Sequence, residues 1–147
     1  MLIAVSFWGV GNFDQNRFLK NNLTQLVAQE ITLNHNKLLN LDFNETNVLT
    51  LSSLMQKLDF QLVESGHISL RGLDVVGARY CSIQGNIAAQ IRMKNEAGKL
   101  FTLYQTKLTH LLEESPEDDQ TVGQVNVKQW QENGLFFGLA ESIETAG

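Results

Sequence analysis

The chain has 147 residues, 43% of them hydrophobic and 18% charged, which suits one globular domain and excludes a disordered tract. Eleven scattered basic residues against sixteen acidic ones leave a net charge of -5. Phosphate binding needs clustered Lys and Arg, so nucleic acid is excluded as a partner. One cysteine excludes an intrachain disulfide and a cysteine-rich zinc site, and leaves the compartment open.

Met1–Val10 is almost wholly apolar but about half the length that spans a bilayer, and it lacks the basic start and cleavage site of a signal peptide. It reads as a core strand, a helical turn, or the outer end of a transmembrane helix. Trp8 beside the polar run Asn12–Asn16 suits the last. All three readings stay open for residues 1–12, the outer end of a transmembrane segment among them, and residues 13–147 read as one α+β domain. From Asp14, a fair N-cap, to about Leu39 the spacing of Phe18, Leu23, Leu26, Val27 and Ile31 predicts a long helix. An Asn-rich connection follows. Leu51–Leu58 has the spacing of a short second helix, and Asp59–Val63 reads as a strand.

The clearest pattern is an antiparallel meander. Val75–Ile83 is β-rich and ends at the turn residues Gln84-Gly85-Asn86. Ile87, Ala89, Ile91 and Met93 then alternate with more polar neighbours, Asn95–Gly98 makes a second turn, and Leu100–Leu108 forms a third strand. The acidic run Glu113–Asp119 reads as a solvated loop. Asn133-Gly134 between Val125–Trp130 and Leu135–Ala140 predicts a C-terminal hairpin. The expected fold is α+β, with a long N-terminal helix packed on the meander and hairpin.

Little chemistry is written in these residues. His35, His67 and His110 lack metal-ligand spacing, and no phosphate-cradling glycine loop is completed after Gly9 and Gly11. The carboxylates cluster in the acidic run, where a pKa is poorly controlled. No catalytic residue, metal or cofactor is expected, and the chain does not read as an enzyme. Strand periodicity puts Arg79, Cys81 and Ile83 on one face and Ala78, Tyr80 and Ser82 on the other. Cys81 reads as a small buried hydrophobe, the alternative being a thiolate whose pKa Arg79 lowers, with no general base nearby in sequence. Phe136 and Phe137 point to opposite faces, and with Trp130 they read as core or interface aromatics. Arg79, Trp130, Phe136 and Phe137 are the candidate interface residues.

Taken in order, Val76–Gly85, Ala88-Ala89-Gln90, Leu100–Gln105, Val127–Trp130 and Asn133–Leu139 resemble the extracytoplasmic half of membrane-anchored anti-sigma factors of Gram-negative bacteria. In that family a long helix carrying a histidine precedes these segments, a role that His35 matches. The resemblance covers about residues 20–140. It implies a non-enzymatic sensory domain on the periplasmic face of the inner membrane, anchored through its N-terminus. A protein partner or protease would act on it in the periplasm, a cytoplasmic domain outside this chain would hold the sigma factor, and a homodimer is compatible. The chain departs from the pattern at Ser53-Leu54, where the family often has Pro-Trp, and in the acidic insertion Glu113–Gly123. The alternative is a soluble module for a small molecule or lipid, with a pocket between helix and sheet. A small hydrolase or transferase would need a cleft lined by perturbed carboxylates or histidine.

Overall fold

A computed structural model describes residues 22–67, 69 and 71–143. The expectations for Met1–Val10 and for a helix start at Asp14 fall outside those residues. Helix α1 covers residues 22–37. Leu23, Val27, Ile31 and His35 recur at four-residue steps and are all buried, so this is the stripe that seats the helix. Leu26 belongs to the opposite side and is 46% exposed, a correction to the predicted apolar face. The helix stops just before Leu38, whose positive φ of 49° takes the chain out of helical geometry.

Asn47 caps α2 (Val48–Leu54) by accepting from the Leu49 and Thr50 amides, which starts this helix earlier than predicted. Then come β1 (Leu73–Ile83), β2 (Asn86–Asn95), β3 (Leu100–Lys107), the single turn α3 (His110–Glu113), β4 (Asp118–Val122), β5 (Val125–Glu132) and β6 (Leu135–Ser142). All pair antiparallel in one sheet of order β1-β2-β3-β6-β5-β4. The protein is therefore α+β, with two three-stranded meanders joined at β3 and β6. Gln84-Gly85 and Asn133-Gly134 both have positive φ throughout, the backbone that two-residue hairpins between twisted strands require.

Two expectations change. Glu113–Asp119 is not simply a loop, because it closes α3 and opens β4, and the C-terminal hairpin gains a third strand. Asp118–Val122 was missed because an edge strand alternates only weakly and acidic residues disfavour strands. Asp59–Val63 forms no strand. Val63 instead bonds the Gln105 side chain, whose Oε1 accepts from the Val63 amide at 3.1 Å and whose Nε2 donates to its carbonyl at 2.8 Å.

The sheet is covered on both sides. α1 packs Leu23, Val27, Ala28 and Ile31 onto Ile83, Ala88, Tyr104, Val127, Phe136 and Ala140. On the other face, Val48, Leu51, Met55 and Leu62 close over Ile91, Met93, Leu103, Trp130 and Phe137. Close approach needs glycine at two points. A Cβ on Gly138 would lie 2.5 Å from Ile31 Cδ1, and one on Gly77 would strike the Phe43 carbonyl. That carbonyl accepts from the Ala78 amide in a short bridge that covers part of the outer edge of β1.

Candidate functional site

Beneath the C-terminal half of α1 the apolar interface gives way to a polar seam. Strand alternation turns Arg79, Gln90, Arg92, Thr102, Tyr104 and Ser142 toward the helix, since their register partners and neighbours Cys81, Ala88 and Ala140 face it. Tyr104 donates to the Ile31 carbonyl at 3.3 Å, and Gln90 Nε2 donates to the Asn34 carbonyl at 3.4 Å. His35 is 1% exposed and bridges two strands, with Nδ1 2.6 Å from Thr102 Oγ1 and Nε2 2.7 Å from Ser142 Oγ. A neutral imidazole has one donor and one acceptor nitrogen, and hydroxyls can complement both. Burial, with a smaller contribution from Arg92, lowers the His35 pKa to about 4, so the bridge is neutral near pH 7.

Two guanidiniums line the seam. Arg79 Nη1 donates to Gln90 Oε1 at 3.1 Å, and Arg92 Nη2 donates to the Leu39 carbonyl at 2.6 Å. Among the described residues neither forms an ion pair. Burial and then the nearby Arg79 lower the Arg92 pKa. Cys81 does face the same way as Arg79, but burial outweighs the arginine and pushes the thiol up to about 12. The group is a thiol, as a small buried hydrophobe would be, and the alternative of an activated thiolate is not supported.

The opposite face carries a second polar feature. Trp130 stacks between His67 (4.9 Å) and Phe137 (5.5 Å), and its Nε1 donates to Glu132 Oε1. Glu132 also accepts from Ser65 Oγ at 2.6 Å and the Gly66 amide at 2.8 Å, bonds that lower its pKa, the Ser65 one most. They pin the loop that carries His67 over the tryptophan. Beside it an open cleft of about 380 Å³ is lined by His67, Glu117, Asp118, Asp119 and Lys128 around Trp130. The cleft lies by β4 and β5 rather than between α1 and the sheet, where core side chains fill the space. Among the described residues no three His, Cys, Asp or Glu side chains converge to hold a metal ion.

The candidate interface residues do not form one patch. Trp130 (3% exposed) and Phe137 (0%) meet in one core layer, whereas Phe136 (1%) lies in the other under α1. All three are core in this chain. Arg79 alone keeps partial exposure, on the α1 side of β1. The sequence reading missed the seam around it. Its only local signal was polar residues (Gln90, Arg92, Thr102, Ser142) at strand positions that the helix covers.

The fold and its two polar features define an α+β domain with a single antiparallel sheet sandwiched between a helix and a helix-bearing segment. No family model, curated protein or solved structure matches the chain. No helix among the described residues is long and apolar enough to cross a membrane.

Proposed function

We propose that the chain is the periplasmic sensory domain of a transmembrane anti-sigma factor, a non-enzymatic regulator that works through protein contacts and regulated proteolysis. One observation carries this reading. The five segments of the resemblance, scattered from Val76 to Leu139, fall on β1, β2, β3, β6 and β5, five consecutive positions of one sheet. Segments that share one sheet form a structural unit. The histidine implied for the preceding helix is His35, the side chain that ties α1 to β3 and β6. In this reading a partner that shifts the sheet moves α1 through the His35 bridge.

The test has two parts in the source organism. A phosphatase fusion after Gly147 of the native gene should be active, as it is only outside the cytoplasm. Deleting codons 22–147 should change transcription of a discrete set of genes that share a promoter type. An inactive fusion together with an unchanged transcript profile would sink the proposal.

The cleft beside Trp130 favours a second reading, a small-molecule module, because its volume falls in the range of ligand sites. A thermal-shift screen separates the two, since a ligand that binds only the folded state raises the melting temperature.

A further inference from the structure

Among the described residues, Arg79 and Arg92 are two neighbouring positive charges without an ion pair. Arg79 lies opposite Gln90 and Arg92 opposite Gly77, so they are diagonal neighbours on adjacent strands and face the same side of the sheet. Like charges so placed repel, and among the described residues neither arginine is ion-paired. Glu30, which faces the same side, is committed to the Gln84 backbone and side-chain amides at 3.0 Å each. Gln90, Thr102, Tyr104, the Cys81 thiol and the His35 imidazole beside the arginines are neutral; the Glu30 and Asp42 carboxylates are held on the Gln84 and Tyr80 amides and pair with neither arginine. Arg79 Nε is buried and meets no acceptor. The two hydrogen bonds that the guanidiniums do make, to Gln90 and Leu39, fix their orientation and leave their charge unmatched. This is the arrangement that a carboxylate completes, because a guanidinium fork matches its two oxygens.

Two neighbouring features fit a peptide as the bearer of that carboxylate. Among the described residues, the outer edge of β1 is covered at the Ala78 backbone and the Tyr80 amide, by Phe43 and Asp42. Since Ala78 turns its backbone groups outward, Ser82 does so too, and an extended segment can pair there. Leu33, Leu38 and Leu39, 62%, 56% and 41% exposed, lie at the end of α1, and the Leu39 carbonyl itself touches Arg92. We propose that the Arg79–Arg92 pair is a carboxylate-binding site that takes an extended acidic, leucine-containing peptide of a partner protein along the outer edge of β1. The proposal goes beyond the regulator reading and stands without it.

The test uses the full chain and a fluorescein-labelled peptide of alternating glutamate and leucine, with its glutamine counterpart as control. Fluorescence anisotropy should report binding of the glutamate peptide alone, weakening as salt is raised. Arg79→Gln and Arg92→Gln should each weaken it about tenfold or more, the loss of a charge-assisted hydrogen bond. Lys107→Gln, at an exposed site on β3, should leave it unchanged. Hydrogen exchange at the Ser82 amide should slow on binding. If a glutamine variant does not unfold with a cooperative thermal transition, Arg79→Lys decides, because it keeps the charge and loses the fork; weaker binding is expected. Absence of binding overturns the proposal, and so does binding that neither arginine affects. Arginine-dependent binding to phosphatidylglycerol vesicles without peptide binding would overturn it in favour of a lipid headgroup. Self-association abolished by Arg79→Gln would overturn it in favour of a second copy's acidic run.

Discussion

Acidification should loosen this protein well above the pH at which carboxylates titrate, and His35 is the reason. In the unfolded chain its pKa is the ordinary 6.5, and in the folded chain about 4. A lowered folded-state value means that the unfolded state takes up the proton first. The stabilisation from His35 is thus fully present above pH 6.5 and is lost as pH falls toward 4. Between pH 7 and pH 5 that difference amounts to about 2 kcal/mol, and near pH 4 it reaches about 3 kcal/mol. The group is 1% exposed, so solvent screening takes little from these figures. Protonation would also make both ring nitrogens donors, and the Thr102 and Ser142 hydroxyls would have to reorient as acceptors. Glu132, whose hydrogen bonds hold its pKa below the ordinary 4.5, adds acid sensitivity chiefly at the lower end of this range. Urea unfolding followed by tryptophan fluorescence at pH 7, 6 and 5 measures the loss directly. His35→Gln should flatten the dependence while His67 and His110 remain as internal controls. Equal unfolding free energies at pH 7 and 5, or the same slope in His35→Gln as in the wild type, would refute the argument.

Three further outcomes are expected. Cys81, with its thiol pushed up to about 12, should resist iodoacetamide in the native protein at pH 8 and react promptly in denaturant. Gly77→Ala should cost about 1–3 kcal/mol by urea unfolding, since the Phe43 carbonyl that the new Cβ strikes is held by the Ala78 amide; Gly138→Ala should cost less because the flexible end of Ile31 can move. Phe137→Ala should lose about 3–5 kcal/mol, as a fully buried ring stacked on Trp130 leaves a cavity that the strand cannot close.

What could be read from the sequence was local. The alternation of Ile87–Met93, the turns at Gln84-Gly85 and Asn133-Gly134, and the opposite facing of Phe136 and Phe137 depend on neighbours a few residues apart, and all reappear in the sheet. What covers each phenylalanine could not be read, because α1 and the 48–63 segment reach them from far along the chain. The polar seam has the same character: His35 meets Thr102 and Ser142 at separations of 67 and 107 residues. Residue type added to the difficulty, since Asp118 and Asp119 begin a strand that propensity disfavours. Val63 is strand-like in sequence, yet a glutamine side chain takes the place of a neighbouring strand.

The strand order β1-β2-β3-β6-β5-β4 also bears on how the chain reaches this state. Four of the five strand pairings join consecutive strands through short turns, so each meander can assemble while the other is still unformed. Only β3 against β6 spans a long stretch of chain, from Phe101 to Glu141 at its widest. Closing that pair carries the larger loop entropy, and the non-local step is the slow one in sheet formation. Folding should therefore be gated by the docking of two preformed halves. Substitutions along the β3–β6 line, such as at Gly138, would then slow folding, while those in the outer hairpins would chiefly hasten unfolding.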